Sequence, residues 1–192
     1  MSIWKRFFII LAALLVSLLV LIFVVHLIFA YKPSKPQFML TKISIHRLSL
    51  SGTILDSEII INLLSINPNR RVCINYNKFQ IYASYNDEKI AESTAPPCSQ
   101  GEREMNFFSS SLSGKGVSVP PSVDPDLTRA HTDGSLSLRI IAVGRFRWKL
   151  AFWKSGIYDI KVICDAVASF QNRSSVNVPP LTPLKRCTTF LH

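Results

Sequence analysis

From Phe7 to Ala30 the chain runs for about 24 residues without a charged side chain, and Lys5 and Arg6 stand directly before it. As a helix rising about 1.5 Å per residue the segment is about 36 Å long, enough to cross a hydrocarbon core of about 30 Å with some tilt. A secretory signal would be shorter, with an apolar region of about 7–15 residues ending in a small-x-small cleavage site. Here the run leaves through Leu27-Ile28-Phe29-Ala30-Tyr31, with bulky Ile28 where a small residue belongs. The pattern predicts an uncleaved signal-anchor helix. Ser17 and His26 are the clearly polar side chains inside it. Ser17 can return its hydroxyl to the preceding turn, and His26 lies near the far interface, within reach of headgroups.

Beyond the anchor the period becomes two. Leu136, Leu138, Ile140, Ala142, Gly144, Phe146, Trp148, Leu150 and Phe152 fall on even positions, while Ser135, Ser137, Arg139, Arg145, Arg147 and Lys149 fall on odd ones. Alternation over that length predicts a long strand, because successive strand side chains point to opposite faces. Gly144 is expected to mark a bulge or bend in it. After a hairpin turn at Lys154-Ser155-Gly156 the alternation resumes, with Tyr158, Ile160, Val162, Cys164, Ala166 and Ala168 against Asp159, Lys161, Asp165 and Ser169.

Earlier segments are less regular. Phe38 to Leu50, Ile54 to Ile66 and Val72 to Tyr85 are rich in β-branched and aromatic residues and are separated by Ser51-Gly52 and Asn67-Pro68-Asn69. In the third, the inward parity switches from Ile74 and Tyr76 to Phe79, Ile81 and Ala83, which a bulge near Asn77-Lys78 accounts for. Shorter strands are expected from Lys89 to Ser93 and from Arg103 to Ser109. A loop follows from Pro120 to Gly134, with room for a helical turn or two around Asp124 to Ala130. Six or seven antiparallel strands with hardly any helix predict an all-β fold, an immunoglobulin/fibronectin-III-like antiparallel β-sandwich behind one transmembrane helix. The expected organisation is a short basic tip at 1–6, the anchor at 7–30, a Pro/Lys linker at 31–37 and the β domain at 38–192.

The charges flanking the anchor leave its direction open. Lys5, Arg6 and the amino terminus face Lys32, Lys35 and Lys42, close to a tie under the positive-inside rule. Asn172-Arg173-Ser174 is a glycosylation sequon, usable at Asn172 only if the domain is lumenal. Cys73, Cys98, Cys164 and Cys187 are compatible with an oxidising compartment. Three pairings of the four are possible, and four reduced thiols are an equal alternative. The one bridge singled out, Cys164 with Cys187, would close a loop of about 24 residues and stabilise the tail by roughly 3 kcal/mol.

Catalytic chemistry finds little support. His46 and His131 have no neighbour at metal-ligand or nucleophile spacing, and no phosphate loop or G-x-S-x-G elbow occurs. Asp124-x-Asp126 and Asp87-Glu88 sit in expected turns. No catalytic residue, metal or cofactor is expected. Charge is more informative: Lys5 and Arg6 carry two of the formal +10, leaving +8 beyond the anchor. On the long strand Arg139, Arg145, Arg147 and Lys149 project opposite the apolar face. A solvated outer face explains them without a partner. The sharper expectation is attraction to an acidic surface, either anionic lipid headgroups or acidic cell-wall polysaccharide.

Several motifs stand in a recognisable order. The anchor is followed by Lys32-Pro33 and Pro36-x-Phe38, then Asn67-Pro68-Asn69 ahead of Tyr76, Tyr82 and Tyr85, then Gly144-Arg145-Phe146-Arg147-Trp148, then Cys164-Asp165. In this the chain resembles the plant late-embryogenesis-abundant, hydroxyproline-rich glycoprotein family, the harpin-induced-like and non-race-specific-disease-resistance-like membrane proteins. The resemblance implies a single-pass plasma-membrane glycoprotein, sometimes at plasmodesmata, with a cytosolic amino terminus and an extracellular β-sandwich. It also implies a non-enzymatic role in defence or stress responses. Where the family has Pro-Phe-Tyr-Gln, this chain has Pro96-Pro97-Cys98-Ser99-Gln100, so no contact of that aromatic pair carries over. The end, Thr188-Thr189-Phe190-Leu191-His192, has no apolar tail for a lipid anchor, so attachment is expected to rest on the helix alone.

On its residues, Asn67-Pro68-Asn69 reads as a rigid structural turn, since proline fixes φ and asparagine bonds its own backbone. Expected partners are the bilayer through residues 7–30, an acidic surface, and other membrane proteins or a second copy, with no nucleic acid on an extracellular domain. Two further readings fit the same residues: a lipid-handling module that uses the domain interior, and a cytosol-facing desiccation protectant.

Overall fold

A computed structural model describes residues 3–30, 33–121, 127, 129–130, 132–151, 153–170 and 185–191. The chain forms two compact units, 1–34 and 35–192. The first holds α1 (Ile3–Ala30), which begins four residues ahead of the apolar run and takes Lys5 and Arg6 into its first turns. Trp4–His26 is the one stretch among the described residues long and apolar enough to cross a bilayer. Its large apolar side chains are exposed rather than packed. Ser17 Oγ donates to the Leu14 carbonyl at 2.8 Å, which satisfies the hydroxyl within the helix.

The second unit is built from β1 (Gln37–Ser51), β2 (Ile54–Ile66), β3 (Cys73–Tyr85), β4 (Glu88–Ala95), β5 (Cys98–Gln100) and β6 (Met105–Ser118). It continues with β7 (Ser135–Leu150), β8 (Trp153–Lys154), β9 (Tyr158–Phe170), β10 (Lys185–Arg186) and β11 (Thr188–Leu191). Seven strands close a barrel-like sheet in the order β1-β2-β6-β4-β3-β7-β9 and back to β1. Most neighbours are joined by long antiparallel ladders. Two seams are thin: β4 meets β6 at the single pair Glu92 and Ser113, and β9 meets β1 in parallel at Ser44–Ser169 and Ile45–Phe170. The interior is filled rather than hollow, with Phe38, Phe79 and Phe146 completely buried among the isoleucines and leucines of β1, β2 and β3.

The parity switch in β3 is a bulge. Tyr76 pairs with Phe146 and Phe79 with Gly144, leaving Asn77 and Lys78 exposed between them. Gly144 is the other half of the device: a Cβ there would lie 2.4 Å from Phe79 Cδ2 and 2.7 Å from the Lys78 carbonyl. The bulge fits only because β7 has no side chain at that point.

Two expectations need correction. The reversal after β7 comes between Leu150 and Trp153, where Ala151 takes φ 47°, and not at Lys154-Ser155-Gly156. β8 folds back on β7, pairing Trp153 with Leu150. Ser155 then ties the connection down, donating its amide to the Trp148 carbonyl at 3.0 Å and accepting the Trp148 amide on Oγ at 2.9 Å. Phe152, placed on the strand by its parity, lies outside the described residues. The strand expected from Arg103 to Ser109 instead runs from Met105 to Ser118. Its serine- and glycine-rich second half has little apolar signal of its own and is held by the β2 ladder, from Ser57–Gly114 to Ile54–Ser118.

Candidate functional site

At the β2–β3 turn, Asn67-Pro68-Asn69 forms a polar hub. Asn67 is 1% exposed. Its Nδ2 donates to the Val72 carbonyl at 2.7 Å and the Gly101 carbonyl at 2.8 Å. Its Oδ1 accepts from the Asn69 amide at 3.1 Å and Asn69 Nδ2 at 2.9 Å. Backbone bonds from Asn67 N to Glu104 O and from Arg103 N to Asn69 O, both 3.0 Å, clamp the 101–104 loop to the same turn. The triplet therefore joins three segments, and both polar atoms of the Asn67 side chain have structural partners.

Beside it, Gln100 is fully buried, and no sequence signal singled out this role. Its Oε1 accepts from Ser65 Oγ at 3.1 Å and Tyr76 OH at 3.2 Å, while Nε2 donates to the Ser65 and Glu104 carbonyls at 2.9 and 2.8 Å. An isolated glutamine at the end of a short strand looks like a surface residue until its neighbours are known. Burial pushes the Tyr76 phenol well above its ordinary range, against a lesser opposing effect of its hydrogen bond with Ser65. It remains a neutral donor. The three tyrosines do not act together: Tyr76 faces the core, Tyr85 packs against it in part, and Tyr82 lies half-buried with Lys89 Nζ 5.9 Å from its ring centre.

Cys164 and Cys187 form a disulfide, with Cα atoms 4.6 Å apart and a sequence separation of 23. It fastens the β10–β11 segment across β9, where Cys187 N also donates to the Phe38 carbonyl at 2.9 Å. Cys73 and Cys98 are free. Ser99 Oγ bonds Asn75 Oδ1 at 2.8 Å, so alternation puts Cys98 and Cys73 on opposite faces of the sheet. Burial, with Glu104 nearby, pushes the Cys98 thiol up. Asn172, Asp124, Asp126 and His131 lie outside the described residues. Asp87 and Glu88 begin the β3–β4 return, with Asn86 and Asp87 at φ 49° and 65°.

The basic stripe on β7 is divided. Arg139 Nε donates to Asp165 at 2.8 Å and its NH1 to Asp87 at 3.2 Å, so two exposed carboxylates offset its charge. Ile141 and Val143 separate it from the rest. Arg139 is thus the member of the candidate acidic-surface site that already has carboxylate partners. Arg145 and Lys149 are exposed and Arg147 half-buried, its Nε without a hydrogen-bond partner among the described residues. Beside Gly144 and the β3 bulge lies a depression of about 360 Å³. Lys78, Arg145 and Lys161 line it together with Asp159, giving the outer face a local basic excess.

No family model matches the chain. Among curated proteins, NDR1/HIN1-like protein 26 of Arabidopsis thaliana is 33% identical over 191 residues, covering 96% of this chain and 88% of that protein. NDR1/HIN1-like protein 1 of the same plant is 32% identical over 148 residues, 75% of this chain and 71% of that one. The chain belongs to the NDR1/HIN1-like family. A solution structure of another Arabidopsis thaliana protein aligns with this NDR1/HIN1-like chain at a TM-score of 0.41 and 14% identity, over 74% of this chain and 87% of that one. At that score the likeness carries no argument. Within this family member, the Asn67 hub, the disulfide and the divided stripe are the features from which a function must be built.

Proposed function

We propose that this chain is a single-pass plasma-membrane protein of plant defence or stress responses, presenting its β domain outside the cell and acting by binding and assembly rather than catalysis. The observation that carries the reading is the apolar helix Trp4–His26 followed by one compact β unit in an NDR1/HIN1-like chain. The two thin seams favour a flattened barrel, an immunoglobulin/fibronectin-III-like sandwich with β1-β2-β6 facing β4-β3-β7-β9. Side-chain filling of the interior counts against the lipid-handling alternative.

Protease added to sealed microsomes is expected to spare the β domain, and glycosidase to remove mass that Asn172→Gln lacks. Digestion of the domain in intact vesicles would overturn the orientation. The outer face supplies the binding half of the reading. With Arg139 already paired to Asp87 and Asp165, Arg145, Arg147 and Lys149 attract an acidic surface such as cell-wall polysaccharide. Changing all three to Gln in the detergent-solubilised full chain is expected to abolish low-salt retention on pectin beads. Equal retention of wild type and variant would refute it.

A further inference from the structure

The polypeptide enters the β domain at Gln37, and the strand directions define which turns share that end. Gln37 pairs with Ile66, Ile66 with Met105, and Cys73 with Lys149. The start of β1, the Asn67 turn, the 101–104 loop and the β7–β8–β9 tip therefore lie together. Lys35 Nζ fixes the point where the chain enters by donating to the Thr189 carbonyl of β11 at 3.0 Å.

This end has an unusual surface. On the β7–β9 tip two large apolar side chains are exposed among the described residues, Trp153 at 53% and Ile157 at 48%. Basic side chains share this end. Lys154 stands in register with Lys149 on the tip, and Arg70 and Arg103 are exposed on the adjoining turn and loop. Glu102 and Glu104 are the acidic residues of that loop, and Glu104 is occupied in part by the Gly101 amide. The opposite end is of mixed charge, with Asp87, Glu88 and Asp133 beside Lys89 and Lys115. An exposed indole and an isoleucine at an end rich in lysine and arginine match a bilayer interface: the apolar side chains enter the headgroup region, and the cations meet lipid phosphate and carboxylate.

We infer that the Trp153–Ile157 tip, with Lys154 and Arg70 beside it, docks onto an anionic lipid surface, holding the β domain against the membrane that α1 spans. The inference rests on the anchor reading. Six residues, 31–36, separate Ala30 from Gln37, so the tether is at most about 25 Å of extended chain. A tether that short keeps this end of the domain within reach of the lipid surface throughout, so weak insertion of one or two side chains suffices to hold it there. On a bilayer anionic on both faces, docking does not depend on which way the anchor points.

The test uses the full chain reconstituted into phosphatidylcholine vesicles with or without phosphatidylserine. Trp153 emission is taken as the difference between the chain and its Trp153→Phe variant. With lipids brominated near the acyl carbonyl, more than half of the Trp153 emission is expected to be quenched in the anionic vesicles, with a blue shift. The quenching should fall to the zwitterionic level in Arg70→Gln/Lys154→Gln but not in Arg145→Gln/Arg147→Gln. Absence of quenching in both vesicle types overturns the proposal, as does equal quenching that the Arg70/Lys154 pair leaves unchanged. Vesicle flotation after an alkaline carbonate wash reads the anchor separately: a chain that stays with the vesicles but shows no quenching refutes docking alone, whereas a chain washed off refutes the anchor.

Discussion

Asn67→Ala is expected to lower the unfolding free energy by about 3 kcal/mol, because it leaves the Val72 and Gly101 carbonyls without their donor in a largely dry turn. The cost reaches further than the turn itself. Asn69 loses both bonds to Oδ1, and the 101–104 loop that supplies the Glu104 carbonyl to Gln100 loses one of its holds. Asn67→Asp separates hydrogen bonding from packing. It keeps the volume and the Asn69 acceptor but turns a carboxylate oxygen toward two carbonyl oxygens. The expected order of stability is wild type, then Ala, then Asp, read as urea midpoints from the emission of buried Trp148. A loss below about 1 kcal/mol for Ala, or an aspartate more stable than alanine, would show that the triplet is not a hub.

Gly114→Ala should cost about as much, roughly 3 kcal/mol, for a steric reason. A Cβ at Gly114 would lie 1.9 Å from the Ile90 carbonyl oxygen and 2.8 Å from Ser57 Oγ, which itself donates to that carbonyl at 2.5 Å. The obstacle is main chain and cannot rotate away. β4 and β6 must separate, and they are joined by one register pair. Gly116, two residues on, is the control: at φ 64° with open space around it, alanine there pays only backbone strain of about 1 kcal/mol. Amide exchange at Glu92 and Ser113 should accelerate in Gly114→Ala and not in Gly116→Ala. Equal destabilisation by the two would contradict a close-packed seam.

Legibility varied with the range of the interaction. The β3 bulge could be read from Ile74, Tyr76, Phe79 and Ile81 because an inward set that changes parity requires an odd insertion. The glycine opposite was visible as a bend, but not as the space that Phe79 needs. The second half of β6 is silent in the sequence because Ser109 to Ser118 carries little apolar alternation. Its strand state comes from β2, about fifty residues earlier in the chain. The hairpin tip was misplaced because Lys154-Ser155-Gly156 has good turn chemistry, whereas the actual reversal uses Ala151 at positive φ, which no local preference suggests.

The same division holds for the site. Arg139, Arg145, Arg147 and Lys149 are equivalent by parity, yet only the fold brings Asp87 and Asp165, 52 and 26 residues away, onto Arg139. Gln100 gave no signal until burial placed Ser65 and Tyr76 within bonding distance.

By itself the sequence determined the apolar helix, the β character of the rest and the faces of its longest strands. Each follows from a run or a period of two, and both are local properties of the chain. Tertiary structure alone decided the closure of the sheet, the Asn67 and Gln100 hubs, which cations have carboxylate partners, and the gathering of Trp153, Ile157, Lys154 and Arg70 at one end. Those depend on strand order and register between distant segments, which no local pattern encodes.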